Sequence, residues 1–289
     1  MQHLLTLIAP PGELDPTLVA RLRDALSGTS ITTLADREAA DISLPAPPDM
    51  DIVRDILAGV PIDAVTTQTT NRRKRLLIAD MDSTIVTGET LDELADFAGL
   101  KDRIAAITSR AMNGEIDFPS ALRERVAMLK GLPLGTLQAT WERVRLTEGA
   151  RELVATMRAH GALTALVSGG FTFFTGRVAE LAGFDLHRAN VLLDDGSHLI
   201  GRVAEPILDR NAKLGTLQEL AAARHVPLEQ TMAVGDGAND LPMLQAAGLG
   251  VAFRAKPIVA ADARARVDHT NLRALLFIQG YSAGEIASG

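Results

Sequence analysis

Short apolar runs alternate with longer stretches of helical spacing along most of this chain, and the alternation sets the expected fold. Within residues 1–70, positions 4–9 read as a strand and 15–26 as a helix, with Asp15 as its cap and Pro16 in its first turn. Strand patterns follow near 31–34 and 41–44, then a helix near 49–57 that stops at Gly59, and a last strand near 62–67. The order βαββαβ predicts a small ferredoxin-like unit. From residue 76 the pattern changes. Continuous apolar runs at 76–79, 163–167, 231–234 and 249–252 fit parallel strands buried on both faces, with helices between them. A hairpin is expected at 191–193 and 199–203 around Asp194-Asp195-Gly196. Residues 88–145 look helical throughout and are too many for an ordinary connection, which predicts a helical cap over the strand ends. The expected fold class is α/β: a doubly wound parallel sheet (76–87 and 146–289), the helical cap (88–145) and the βαββαβ amino-terminal domain (1–70).

Composition narrows the function classes. The chain has 289 residues, 47% of them hydrophobic, which suffices for about two domains of ordinary size. A net charge of −7 argues against a nucleic-acid partner or a membrane surface. The basic run Arg72-Arg73-Lys74-Arg75 is too short to change that, and is expected to be a solvated linker. No cysteine is present, which excludes disulfides, thiolate metal sites and cysteine nucleophiles. The apolar stretch near the amino terminus lacks a basic leader and ends at Pro10-Pro11, so it does not read as a signal peptide. With no run of membrane-spanning length, a cytoplasmic protein is expected.

The candidate chemistry collects where strands end, which is where open α/β sheets bind ligands. Asp80-Met81-Asp82-Ser83-Thr84 follows the run 76–79 directly. Strand side chains alternate, so Asp80 and Asp82 should enter the crevice together while Met81 turns inward. Two such carboxylates can hold a divalent cation and divide nucleophilic and acid–base work. The run 163–167 leads into Ser168-Gly169-Gly170, where a hydroxyl and open amides suit phosphate oxygens, although Ser-Gly-Gly alone is simply a turn. The run 231–234 leads into Gly235-Asp236-Gly237-Ala238-Asn239-Asp240, whose acidic groups suit Mg²⁺; Asp240 could equally cap the next helix. Lys213 is one of five lysines and stands near the start of a helical run. A lysine there is normally solvated, but it could also neutralise a phosphate and a nucleophilic carboxylate.

Taken in order, Asp80-Met81-Asp82-Ser83-Thr84, Ser168-Gly169, Lys213 and the Gly235–Asp240 turn resemble the motifs of the haloacid dehalogenase-like phosphatases. The resemblance implies attack on phosphorus by Asp80, giving an aspartyl phosphate, with Asp82 as general acid and then base. It implies Mg²⁺ held by Asp80, the backbone carbonyl of Asp82 and Asp236, with Asp240 behind them. Ser168, Gly169 and Lys213 would hold the phosphoryl oxygens, and Asn239 would bond to substrate or phosphate.

The cap narrows the substrate. Leu122, Arg125, Val126 and Leu129 share one helix face, which places a guanidinium in an apolar stripe. It could snorkel past the edge of that stripe, or grip a carboxylate in the crevice. Glu89 precedes an expected capping box, Thr90-x-x-Glu93, and could instead bind an ammonium group. These residues, with Ala111-Met112-Asn113-Gly114-Glu115-Ile116-Asp117-Phe118, resemble the phosphoserine phosphatase family over roughly residues 75 to 285. The resemblance implies hydrolysis of O-phospho-L-serine, the last step of serine biosynthesis. Glu89 would take the amine, Arg125 the carboxylate, and Met112 and Phe118 would line the pocket. Position 81, often Phe in that family, is Met here. The amino-terminal unit is similar in outline to ACT-like domains, with no ligand residues that can be matched. A related enzyme acting on homoserine phosphate or a sugar phosphate is the alternative. An inactive amino-acid-binding protein is disfavoured by the presence of Asp80, Asp82, Lys213 and Asp236. The sequence leaves the oligomeric state, a homodimer included, open.

Overall fold

The computed structural model describes residues 3–112 and 115–289, and side chains for all of these except 109, 111 and 112. The amino-terminal unit runs β1 (His3–Ile8), α1 (Pro16–Ala25), β2 (Ser30–Ala35), β3 (Ala39–Leu44), α2 (Met50–Leu57) and β4 (Asp63–Gln68). Asp15 caps α1 by accepting from the Thr17 amide, and Asp49 caps α2 in the same way through Asp51. The strands form one antiparallel sheet in the order β2-β3-β1-β4. One face packs Leu5, Leu7 and Ile42 against Val19, Leu22 and Val53 of the two helices. From the other face Ile8, Ala39 and Val65 join the core of the rest of the molecule.

The second sheet begins with β5 (Leu76–Ala79), followed by the irregular turn Met81–Ile85. Four helices come next: α3 (Thr90–Phe97), α4 (Lys101–Met112), α5 (Phe118–Met128) and α6 (Gly135–Trp141). The chain then returns through α7 (Ala150–Ala159), β6 (Leu163–Phe171), α8 (Thr172–Ala182) and β7 (Leu186–Asn190). A hairpin, β8 (Leu192–Asp194) and β9 (Leu199–Val203), precedes α9 (Arg210–Ala223), β10 (Thr231–Gly235), α10 (Leu241–Ala246), β11 (Leu249–Phe253), α11 (Pro257–Asp262), β12 (Ala265–Val267) and α12 (Ala274–Ile278).

The six strands β12-β11-β10-β5-β6-β7 are all parallel, with β5 near the middle. Leu77 and Ala79 face one apolar core and Leu76 and Ile78 the other, which is why this strand reads as an unbroken apolar run. The strands β7 and β12 carry no such run. They lie at the sheet edges, where β7 exposes His187 and β12 has only three residues. The hairpin packs on the end of α5: Gly131 donates to the Leu199 carbonyl at 2.8 Å and Leu199 to that of Leu132 at 2.9 Å. No helix among the described residues is long and apolar enough to cross a membrane.

Two local expectations change. The basic run 72–75 is only half solvated: Arg73 and Arg75 are exposed, but Arg72 pairs with Asp41 at 2.7 Å with both side chains largely buried. Lys74 is buried as well, donating at 2.7 Å to the carbonyls of Asn71 and Glu229. Burial lowers its pKa to about 8, with Glu229 opposing. The capping box at Thr90 does not form, because α3 begins at Thr90 itself and Glu89 is the residue before it.

Candidate active site

The strand β5 ends at Ala79, and the irregular turn that follows carries the acidic pair. Asp80 and Asp82 are both extended (ψ 157° and 138°), so their carboxylates point the same way while Met81 is fully buried between them. Ser83 then adopts φ +54°, which ends the strand direction. Three more strand ends lie beside this one. Ser168-Gly169-Gly170 closes β6, Gly235-Asp236 closes β10, and Lys256 follows β11.

Lys213, reaching in from α9, is 1% exposed and lies 2.7 Å from both Asp80 Oδ1 and Asp240 Oδ1. Asp240 is fully buried and does not cap α10. Its Oδ2 instead accepts from the Gly237 amide at 3.1 Å. Gly235 makes this approach possible, since a Cβ there would stand 2.4 Å from Asp240 Cγ. Carboxylate oxygens of Asp80, Asp236 and Asp240 fall within 4.8 Å of one another. Asp236 also lies 3.5 Å from the Thr84 hydroxyl and 4.0 Å from Lys256 Nζ.

Asp82 Oδ1 accepts from the Thr90 amide at 2.8 Å, which ties the start of α3 to the strand end. Its Oδ2 takes a longer contact, 3.4 Å, from the Ser168 hydroxyl. The Gly170 amide donates to Ser168 Oγ at 2.8 Å, and a Cβ on Gly170 would crowd Asp82 Oδ2 at 3.1 Å. Glu89 accepts from the Ser83 hydroxyl at 2.7 Å. Phe118 opens α5, and its ring would stand 3.2 Å from a Cβ on Gly169, so it lies against the loop that follows β6. Arg125 is half-buried among Leu122, Val126 and Leu129, and its Nε donates to the Ala121 carbonyl at 3.3 Å. Its neighbours Arg123 and Glu124 point outward into ion pairs with Glu205 and Arg110. Asn239 is exposed on the turn before Asp240, and the Met112 side chain lies outside the described residues.

The electrostatics follow from so many charges in little water. Burial, then Asp240, push the Asp80 carboxyl well up, against the pull of Lys213. Burial and the charge of Glu89 push Asp82 up to about 7, with the Thr90 amide opposing. Asp236 rises to about 6 through burial and Asp240, with Lys256 opposing. Burial disfavours the Lys213 charge, but Asp240 and Asp80 outweigh it and its pKa is raised. Burial lowers the pKa of Arg125, and the nearby charges of Asp92 and Glu89 work against that.

Two residues of this neighbourhood were not expected from the sequence. Asn190, at the end of β7, is buried and donates to the Gly169 carbonyl at 2.8 Å while accepting from the Leu208 amide at 2.7 Å. It fixes the orientation of the peptide after Gly169. An asparagine at the end of a polar edge strand carries no pattern that would single it out. Lys256 does carry one, because it stands just past an apolar strand run, as Asp80 and Asp236 do.

Comparison with known proteins agrees with this architecture. A profile described as haloacid dehalogenase-like hydrolase matches residues 77–245, more than half of the chain. The phosphoserine phosphatase of Archaeoglobus fulgidus is 45% identical over 204 residues, covering 71% of this chain and 59% of that one. The phosphoserine phosphatase of Streptococcus thermophilus is 44% identical over 199 residues, covering 69% of this chain and 93% of that one. The chain thus spans nearly all of the shorter relative but under two thirds of the longer. Among solved structures, a HAD family hydrolase, t0658, of Salmonella enterica serovar Typhi superposes with a TM-score of 0.86 at 30% identity, over 96% of this chain and 98% of that one. A phospho-aspartyl intermediate analogue of phosphoserine phosphatase gives 0.66 at 40% identity, over 71% and 98%. By profile, sequence and fold together, the chain belongs to the haloacid dehalogenase-like hydrolase family.

Proposed function

We propose that this protein is a Mg²⁺-dependent phosphatase that hydrolyses O-phospho-L-serine to L-serine and phosphate through an aspartyl phosphate on Asp80. The observation that carries the reading is the Asp80–Lys213–Asp240 cluster at 2.7 Å, set beside an Asp82 whose carboxyl can hold a proton near neutrality. The names of the relatives support the substrate.

Asp80 attacks phosphorus in line with the serine oxygen, and the P–O bond to serine breaks. Asp82 gives its proton to the departing alkoxide. In the second step it takes a proton from the water that attacks the aspartyl phosphate, and phosphate leaves with the Asp80 carboxylate restored. Lys213 balances Asp80, and together with the Ser168 hydroxyl and the Gly169 amide it holds the phosphoryl oxygens. Glu89, kept in place by Ser83, takes the substrate ammonium, and Arg125 the substrate carboxylate. Phe118 forms the apolar wall, and Asn239 bonds to the substrate from the turn.

The residues present fit magnesium. Asp80, Asp236 and Asp240 are buried hard-oxygen donors, and the buried ammonium of Lys213 bonds to only two of them, Asp80 and Asp240, which leaves negative charge to be balanced. Asp80, the backbone carbonyl of Asp82 and Asp236 would hold the ion, and Asp240 would orient them. Bound there, Mg²⁺ supplies the positive charge that lets a carboxylate approach a phosphate anion.

On this reading residues 88–145 form a cap over the site and residues 1–70 a separate unit. The test is phosphate release from L-phosphoserine, homoserine phosphate and a sugar phosphate, each with Mg²⁺ and with EDTA. Release from phosphoserine that chelator abolishes is expected. Full activity in excess chelator, or preference for another phosphate, would reject the reading.

A further inference from the structure

Two lysines face the acidic cluster, and they are held very differently. Lys213 is buried, and its ammonium lies 2.7 Å from two carboxylates. Lys256 has 53% of its side chain exposed, and its ammonium lies 4.0 Å from Asp236 Oδ2, beyond hydrogen-bond length. Its main chain is fixed nonetheless. The Lys256 amide donates to the Asp236 carbonyl at 3.2 Å, which joins the ends of the adjacent strands β10 and β11. Pro257 follows as the first residue of α11 and restricts the backbone at Lys256. A tethered backbone with a free ammonium keeps one positive charge near Asp236 without committing it to a bond.

A cation placed this way and a metal ion on Asp236 compete for one carboxylate and repel each other. We propose that Lys256 is a displaceable counter-cation of the acidic cluster, which balances Asp236 until a divalent ion arrives and so sets the affinity of the site for that ion. The inference rests on the metal reading above and deepens it. Lys213 cannot play this part, because moving it would leave two buried carboxylates without the cation they share. Lys256 can swing away at little cost, since its head is already largely in water.

The experiment is calorimetric titration of the full chain with MgCl₂ and with MnCl₂, in the absence of substrate. Lys256→Gln should bind either ion about tenfold more tightly than wild type, the size expected for removing a unit charge several ångströms from a divalent ion in a well-solvated setting. Lys256→Arg, which keeps the charge, should bind like wild type. The gap between Lys256→Gln and wild type should narrow as KCl is raised, because a half-exposed charge is screened. Asp236→Asn serves to separate the two readings, and it should lose most of the metal affinity. If Asp236→Asn binds as wild type does, the metal assignment fails. If Asp236→Asn behaves as expected but Lys256→Gln binds metal equally or more weakly, the counter-cation proposal is overturned. A rise in KM for phosphoserine with unchanged metal affinity would also overturn it, and would make Lys256 a substrate contact.

Discussion

Asp80 is surrounded by groups that would make an uncompensated carboxylate costly, and it is the one whose chemistry tolerates least change. On the proposed mechanism Asp80→Asn preserves shape but removes the anionic oxygen that would attack phosphorus, so phosphate release should become nearly undetectable while the thermal melt keeps its cooperativity. Beryllium fluoride should modify wild type at Asp80, and an adduct found on another side chain would reject the assignment. Arg125 is a different case, because its apolar surroundings can be explained by packing alone. If it grips the substrate carboxylate, Arg125→Ala should cost roughly 2–3 kcal/mol, about two orders of magnitude in kcat/KM for phosphoserine. Arg125→Lys should recover only part, since an ammonium lacks the planar fork. O-phosphoethanolamine keeps the amine and phosphate but has no carboxylate, so wild type and Arg125→Ala should hydrolyse it equally poorly. An equal loss on both compounds would make Arg125 a structural residue of α5.

At the scale of elements, the site depends on strands that end in glycine where another chain segment must come close. Gly235 closes β10, and a methyl group there would stand 2.4 Å from Asp240 Cγ. Asp240 cannot give way freely, because it is buried and bonded to Lys213 and the Gly237 amide. Gly235→Ala should therefore push Asp240 off Lys213, costing roughly 1–3 kcal/mol in a thermal or urea melt and most of the turnover. An alanine variant with wild-type stability and kcat would show that the turn can shift without cost. Gly237 offers the contrast, since its crowding atom is the tip of the exposed Asn239 side chain, which can rotate away. The start of α3 is equally informative. Its Thr90 amide goes to Asp82 rather than to a cap within the helix, so the start of α3 is anchored on a candidate catalytic carboxylate.

For the whole molecule, the question is how the amino-terminal sheet stays on the larger one. Three buried or half-buried anions do much of this. Asp41 pairs with Arg72, which also donates to the Ile278 carbonyl at 2.9 Å. Asp63 accepts from the amides of Asp268, His269 and Thr270 and from the Thr270 hydroxyl. Glu38 pairs with Arg273 at 3.1 Å. Arg72→Ala leaves the Asp41 carboxylate buried without its partner and should destabilise the protein by roughly 3–5 kcal/mol. The pair variant Arg72→Met with Asp41→Leu should recover most of that loss. A melt of Arg72→Ala indistinguishable from wild type would mean that water replaces the guanidinium and that docking rests on the apolar contacts alone.

The sequence by itself determined what is local or periodic. The run 76–79 announced a doubly buried strand because both of its faces meet apolar cores, and Asp80 and Asp82 could be paired because both are extended while Met81 between them is buried. The order βαββαβ was legible from turns and caps, Asp15 and Asp49 among them, that act within a few residues. Partners distant in sequence were decided only by the tertiary structure. That Lys213 would bond to both Asp80 and Asp240, that Asn190 would hold Gly169, and that Arg72 and Lys74 would be buried all depend on segments tens to hundreds of residues away. The edge strands β7 and β12 were hidden for a related reason, since an edge needs no continuous apolar run and leaves no pattern to read. Periodicity reports which face of an element is dry. Which charge meets which, and how much water is left around them, is settled only when the faces come together, and at this site that decides how far burial and neighbouring charge push up the carboxyls of Asp82 and Asp236.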